Sequence, residues 1–171
     1  TLASAQSAQV NAATELARRH EVLRYRFDVT EGSPTAWLMP LAAVGVTQIS
    51  VRTMAEAKAE AQSFADAPFD LMSGPLFRIG LISEDEDTHV MVLTLHASIA
   101  DEASVDIALN ELAVLYSAYS DGFATPLRSP KLQHADLVRW QDGWMQGAVL
   151  DGQISWWRDR LDGAPAALAL P

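Results

Sequence analysis

The segment that most limits how this chain can fold is a pair of apolar runs, LFRIGLI (residues 76–82) and HVMVLTL (residues 89–95), joined by the acidic stretch SEDEDT (residues 83–88). The pair reads as an antiparallel hairpin with a solvated, charged tip. The second run leads into HASIAD (residues 96–101). Beyond it, Val105, Ala108, Leu109, Leu112, Leu115, Tyr116 and Tyr119 recur at three- and four-residue steps, which is one apolar face of a helix. Ser104 stands where an N-cap is expected.

The remaining segments fit the same plan. Residues 2–19 are rich in Ala, Gln and Glu and end in two arginines, which reads as a helix with cations in its last turn. VLRYRFDV (residues 22–29) alternates as a half-buried strand does. EGSP (31–34) is a turn, TAWLMP (35–40) a returning strand and VTQISV (46–51) a short strand. Residues 53–67 read as a helix with a charged face, and PFDLMSGP (68–75) as a loop in which Asp70 bonds its own backbone. Two amphipathic helices are expected over 134–146 and 149–161; they carry Trp140, Trp144, Trp156 and Trp157, side chains expected to be buried. The fold class is therefore α+β, with a mostly antiparallel sheet packed by helices.

Composition narrows the function classes. At 171 residues the chain is long enough for a real core, and a formal net charge of −10 leaves no basic patch to release counterions from nucleic acid. No run is long and apolar enough to span a membrane. The chain contains no cysteine, which removes thiol catalysis and zinc–thiolate sites and fits a cytoplasmic protein. Its four histidines lie far apart, without metal-ligand spacing, so no metal site is expected.

The chemistry-bearing segment is HASIAD. A histidine delivered by a strand to the start of a helix is placed to act as a general base, with Asp101 to orient it or to pair with a cation. The same histidine also reads as a packed residue bonded to backbone, and Asp101 as an electrostatic cap of the helix.

Four stretches occur in a specific order: RHEVLRYRF (19–27), PFDLMSGPLFRIGLI (68–82), LHASIADEAS (95–104), and residues 132–171 from LQHADLVRWQDGW onward. Together they resemble the amino-terminal lobe of a condensation domain from a nonribosomal peptide synthetase, over nearly the whole chain. The resemblance implies a fold like chloramphenicol acetyltransferase, two lobes with the active site in a tunnel between them. It implies no resident cofactor: carrier proteins deliver phosphopantetheine-linked substrates, and the amine of one attacks the thioester of the other. It assigns residues 1–163 to the lobe, lacking its first strand, and 164–171 to the linker toward the second lobe. That lobe, adjacent synthetase domains and a tailoring enzyme join the carrier proteins as expected partners.

Carried over to this sequence, the family's HHxxxDG motif places its first, structural histidine at His96 and its aspartate at Asp101. The second, catalytic histidine falls on Ala97, and Glu102 replaces the glycine. The motif RHExLRTxF places Arg19 and Arg24 as structural residues, either one the implied partner of Asp101. Alanine has no titratable group. If the strand stays extended to residue 97, His96 faces the opposite side and does not substitute. The expected function is a condensation-family lobe that is catalytically silent and works by interaction. Two alternatives stay open: an active amide-forming domain in which Ala97 is an engineered knockout, and, less well supported, a CoA-dependent acyltransferase, whose HxxxD spacing is not that of His96 and Asp101.

Overall fold

The computed structural model describes residues 2–165 and residue 167, in two compact units, residues 1–131 and 132–171. The first unit opens with α1 (Leu2–Arg19), followed by a 3₁₀ turn (Glu21–Arg24) and the strands β1 (Tyr25–Thr30), β2 (Ser33–Leu38) and β3 (Val46–Ser50). Then come α2 (Met54–Asp66), β4 (Phe77–Ser83), β5 (His89–Leu95) and α3 (Glu102–Ser120). The second unit is α4 (His134–Trp144) and α5 (Gly147–Leu161). Residues 166 and 168–171, most of the expected linker, lie outside the described residues.

The expected hairpin is present: β4 pairs antiparallel with β5, from Phe77 opposite Leu95 to Ser83 opposite His89. At its tip Asp85 accepts from the backbone N–H groups of Asp87 and Thr88, which turns the acidic stretch. β3 joins β4 in parallel, so the three-stranded sheet runs β3-β4-β5 and is mixed. β1 and β2 form a separate antiparallel ribbon closed by Glu31 (φ 51°) and Gly32 (φ 79°). Two successive left-handed residues suit the twist of a two-residue hairpin loop, and glycine takes the second without strain.

The strand expected over 22–29 begins only at Tyr25. Residues 21–24 instead wind into the 3₁₀ turn, with Leu23 buried beneath it. The alternating pattern did not separate the two, because Leu23 and Tyr25 point inward in either conformation. The core joins α1 (Ala12, Ala13, Leu16), α3 (Ala108, Leu112, Leu115) and the strand residues Phe77 and Ile79. The buried stripe of α3 is narrower than its apolar pattern: Leu109 and Tyr116 are exposed. On the opposite face of the sheet, Gly80 lies under the Phe64 ring of α2; a Cβ there would sit 3.2 Å from the ring.

The tryptophans depart from expectation. In α4 and α5 no side chain is buried, and Trp140, Trp144, Trp156 and Trp157 are each about half exposed. The indoles pack on one another instead: Trp140 and Trp144, one turn apart, stack with centroids 5.8 Å apart, and Trp156 meets Trp157 edge-on at 4.8 Å. A two-helix unit has too little interior to enclose four indoles.

Two outcomes follow from this packing. Gly80→Val should destabilise the chain by about 1–3 kcal/mol, because Phe64 must move; urea unfolding followed by circular dichroism measures it. Since the least exposed of the five tryptophans, Trp37, is still 46% exposed, steady-state emission should be red-shifted and readily quenched by acrylamide. Blue-shifted, protected emission would contradict the arrangement.

Candidate functional site

β5 stops at Leu95, so HASIAD is a turn and not the end of a strand. The His96 N–H donates to Leu76 O at 2.9 Å, and the Ile99 N–H returns to His96 O at 3.0 Å. The alternation that would send the side chains of residues 96 and 97 to opposite faces therefore does not govern them. Ile99 is buried and anchors the turn, His96 is half-buried, and Ala97 is exposed.

His96 has defined partners. Its Nδ1 accepts from the Ser98 N–H at 3.1 Å and lies 2.8 Å from Ser98 Oγ. An N–H donor on Nδ1 puts the proton of the neutral ring on Nε2. The ring meets Phe69 edge-on, with centroids 5.9 Å apart.

Asp101, and not Ser104, is the N-cap of α3. Its Oδ1 accepts from Ser104 N at 2.9 Å and from Ser104 Oγ at 2.6 Å, while Ser104 Oγ receives the Asp101 N–H at 3.3 Å. These bonds, the Ser104 hydroxyl first, hold the Asp101 carboxyl below its ordinary range. The expected partnership with Arg19 or Arg24 is not made. Arg24 donates to two backbone carbonyls, Ala17 O at 3.1 Å and Met39 O at 2.8 Å. Arg19, 5% exposed, makes a fork–fork pair with Glu111 at 2.9 and 2.8 Å and donates to Arg128 O. A short aspartate at a helix start finds its nearest donors on its own backbone, and the longer Glu111 reaches the arginine.

Glu111 also takes His20, whose Nε2 lies 2.8 Å from the second carboxylate oxygen. His20 lines a small cavity of about 100 Å³ with Leu95, Ile99, Ala100, Ser104 and Ile107, directly behind the HASIAD turn. His20 thus shares this cavity with Ile99 and Ala100 of the HASIAD turn, while His96 and Asp101 do not line it. Reading the sequence missed Glu111, which the sequence shows only as one of several carboxylates beside the apolar stripe of α3. Among the described residues no three His, Asp or Glu side chains are grouped to hold a metal ion. None of the described helices is long and apolar enough to cross a membrane.

The family model "Condensation domain" matches residues 6–171. The chain belongs to the condensation-domain family. A linear gramicidin synthase polypeptide from Brevibacillus parabrevis is 36% identical over 162 residues, 91% of this chain and 2% of that protein. Malpinin synthetase of Mortierella alpina is 35% identical over 162 residues, 92% of this chain and again 2% of the relative. The X-domain in the complex of the X-domain and OxyB from teicoplanin biosynthesis superimposes with a TM-score of 0.88 at 29% identity, covering 97% of this chain and 37% of that one. This condensation-domain chain thus spans a small part of the synthetases it matches.

The Glu111 carboxyl is held below its ordinary value of 4.5, chiefly by the hydrogen bonds from Arg19 and then by those from His20. A lowered folded pKa stabilises above pH 4.5, and that stabilisation is lost as pH falls toward the folded value. Glu111→Ala should cost about 3 kcal/mol at neutral pH, because it strands a buried guanidinium. Its unfolding midpoint in urea should also depend less on pH below 4.5 than that of the unsubstituted chain. Parallel pH profiles would overturn the assignment.

Proposed function

We propose that this chain is the amino-terminal lobe of a nonribosomal peptide synthetase condensation domain, catalytically silent as it stands, whose role is interaction with carrier proteins or a partner enzyme. The observation that carries the reading is residue 97. It is an exposed alanine in the turn behind β5, where the family's motif requires a histidine, and it offers no proton donor or acceptor. His96 is a poor substitute, since Nδ1 is engaged by Ser98 and its ring is packed on Phe69. Phosphopantetheine-linked groups would arrive on carrier proteins and need no resident cofactor.

The likeness to the teicoplanin X-domain, which forms a complex with OxyB, supports interaction with a tailoring enzyme as the form this role takes. The exposed indoles of α4 and α5 are consistent with it, because tryptophan is enriched where proteins meet.

The test uses the full-length parent with both loaded carrier proteins and intact-protein mass spectrometry for the amide. The chain as given should form no product above the uncatalysed background. Ala97→His locates the cause. Product restored by about 10²-fold or more assigns the silence to the missing base alone, and continued silence assigns it to the pocket as a whole. Full-rate condensation with Ala97 in place would overturn the reading.

A further inference from the structure

A second, larger cavity of about 470 Å³ lies away from the HASIAD turn, between the 3₁₀ turn, the loop over residues 39–45 and the start of β4. Its walls are mostly apolar, with Leu23, Met39, Val44 and Phe77 among them, and two arginines, Arg24 and Arg78, line it. The volume falls within the range of roughly 300–1,000 Å³ typical of small-molecule pockets.

The arginines make this cavity unusual for so acidic a chain. Each guanidinium has five N–H donors. Arg78 donates to three backbone carbonyls, Phe64 O, Ala67 O and Pro68 O, and its Nε is buried without a partner. Arg24 spends Nε and one terminal N–H on carbonyls, and its nearest carboxylate, Glu21, stands 3.8 Å away. Arg26 lies beside the same Gly74 turn, bonds Met72 O at 3.3 Å, and also has a buried, unpartnered Nε. Carbonyl oxygens satisfy geometry but do not cancel charge. Among the described residues neither Arg26 nor Arg78 has a carboxylate within ion-pair distance. Of the two arginines along the trough, Arg24 has only the long pair with Glu21 and Arg78 has no carboxylate partner among the described residues, and an apolar trough with such cations is complementary to one kind of small molecule.

We propose that this cavity binds an anionic amphiphile, its alkyl or acyl chain in the trough and its carboxylate or phosphate oxygens against the free donors of Arg24 and Arg78. The oxyanion would supply the charge partner Arg78 lacks and add to the long Glu21 pair of Arg24, through charge-assisted hydrogen bonds, and the chain would be removed from water along the apolar wall.

The test titrates the ¹⁵N-labelled full chain with dodecanoate, dodecyl phosphate and dodecanol, each below its aggregation threshold, and follows amide shifts. Saturable shifts confined to residues 39–45 and 73–79 are expected for one or both anions, with dodecanol at least tenfold weaker. The tighter anion identifies carboxylate or phosphate as the head group. Ala43→Trp, which fills the cavity, should abolish the shifts, and Arg24→Gln should weaken the anions at least fivefold while leaving dodecanol unchanged. Equal binding of dodecanol overturns the role of the arginines. Shifts that are absent, or spread over the surface, overturn the site. Because the comparison of the three amphiphiles uses the unsubstituted chain, it decides the matter even where a variant fails to fold.

Discussion

The pair between Arg19 and Glu111 holds the first unit together where its two long helices meet. Arg19 ends α1, Glu111 sits in the middle of α3, and the guanidinium is almost fully enclosed. Burying a charge is tolerable only when its hydrogen-bonding capacity is met and its charge is matched. The fork–fork geometry to Glu111 and the bond to Arg128 O meet that condition together. The same carboxylate then receives His20, so α1, α3, the segment after α3 and the entry to the 3₁₀ turn share one electrostatic node. The small-residue face of α1, with Ala12, Ala13 and Ala17 buried, allows α3 the close approach on which the node depends.

Much of this plan was legible in the sequence, and the exceptions have a common cause. The hairpin, α2, α3 and the two C-terminal helices fall where their periodicity puts them, because burial of one face dictates both the pattern and the element. At residues 22–24 periodicity carries no distinction, since one turn of 3₁₀ helix and one pleat bury the same leucine. At Asp101 the competition was between a distant arginine and donors three residues away, and local backbone won. Glu111 was invisible because nothing in a linear pattern says which carboxylate a buried arginine will meet. The tryptophans were misjudged because the argument for burial assumed an interior that a pair of helices lacks.

The loop over residues 68–75 shows how cations can serve structure without ion pairs. Arg78 gathers the carbonyls of Phe64, Ala67 and Pro68 while its guanidinium lies over the Phe69 ring at 4.0 Å, and Arg26 takes Met72 O from the other side. Asp70 closes the loop on itself through Met72 N and Ser73 Oγ. The loop then presents Phe69 to His96, so that Arg78 and His96 contact the same ring. Charge, aromatic face and imidazole form one chain of contacts from α2 to the HASIAD turn.

That turn is also built so that its fold is independent of the residue on which the proposed chemistry rests. The His96 N–H bond to Leu76 O, the return from Ile99 N–H to His96 O, the burial of Ile99 and the Asp101–Ser104 cap all leave the side chain of residue 97 unused. An alanine there is exposed and strains nothing. Stability therefore exerts no pull on position 97, whereas Ile99 and Asp101 are tied to the packing and capping of α3. Under the proposed reading, a histidine here would serve chemistry and not folding, and its replacement would leave the scaffold, the arginine node and the exposed helices as they are.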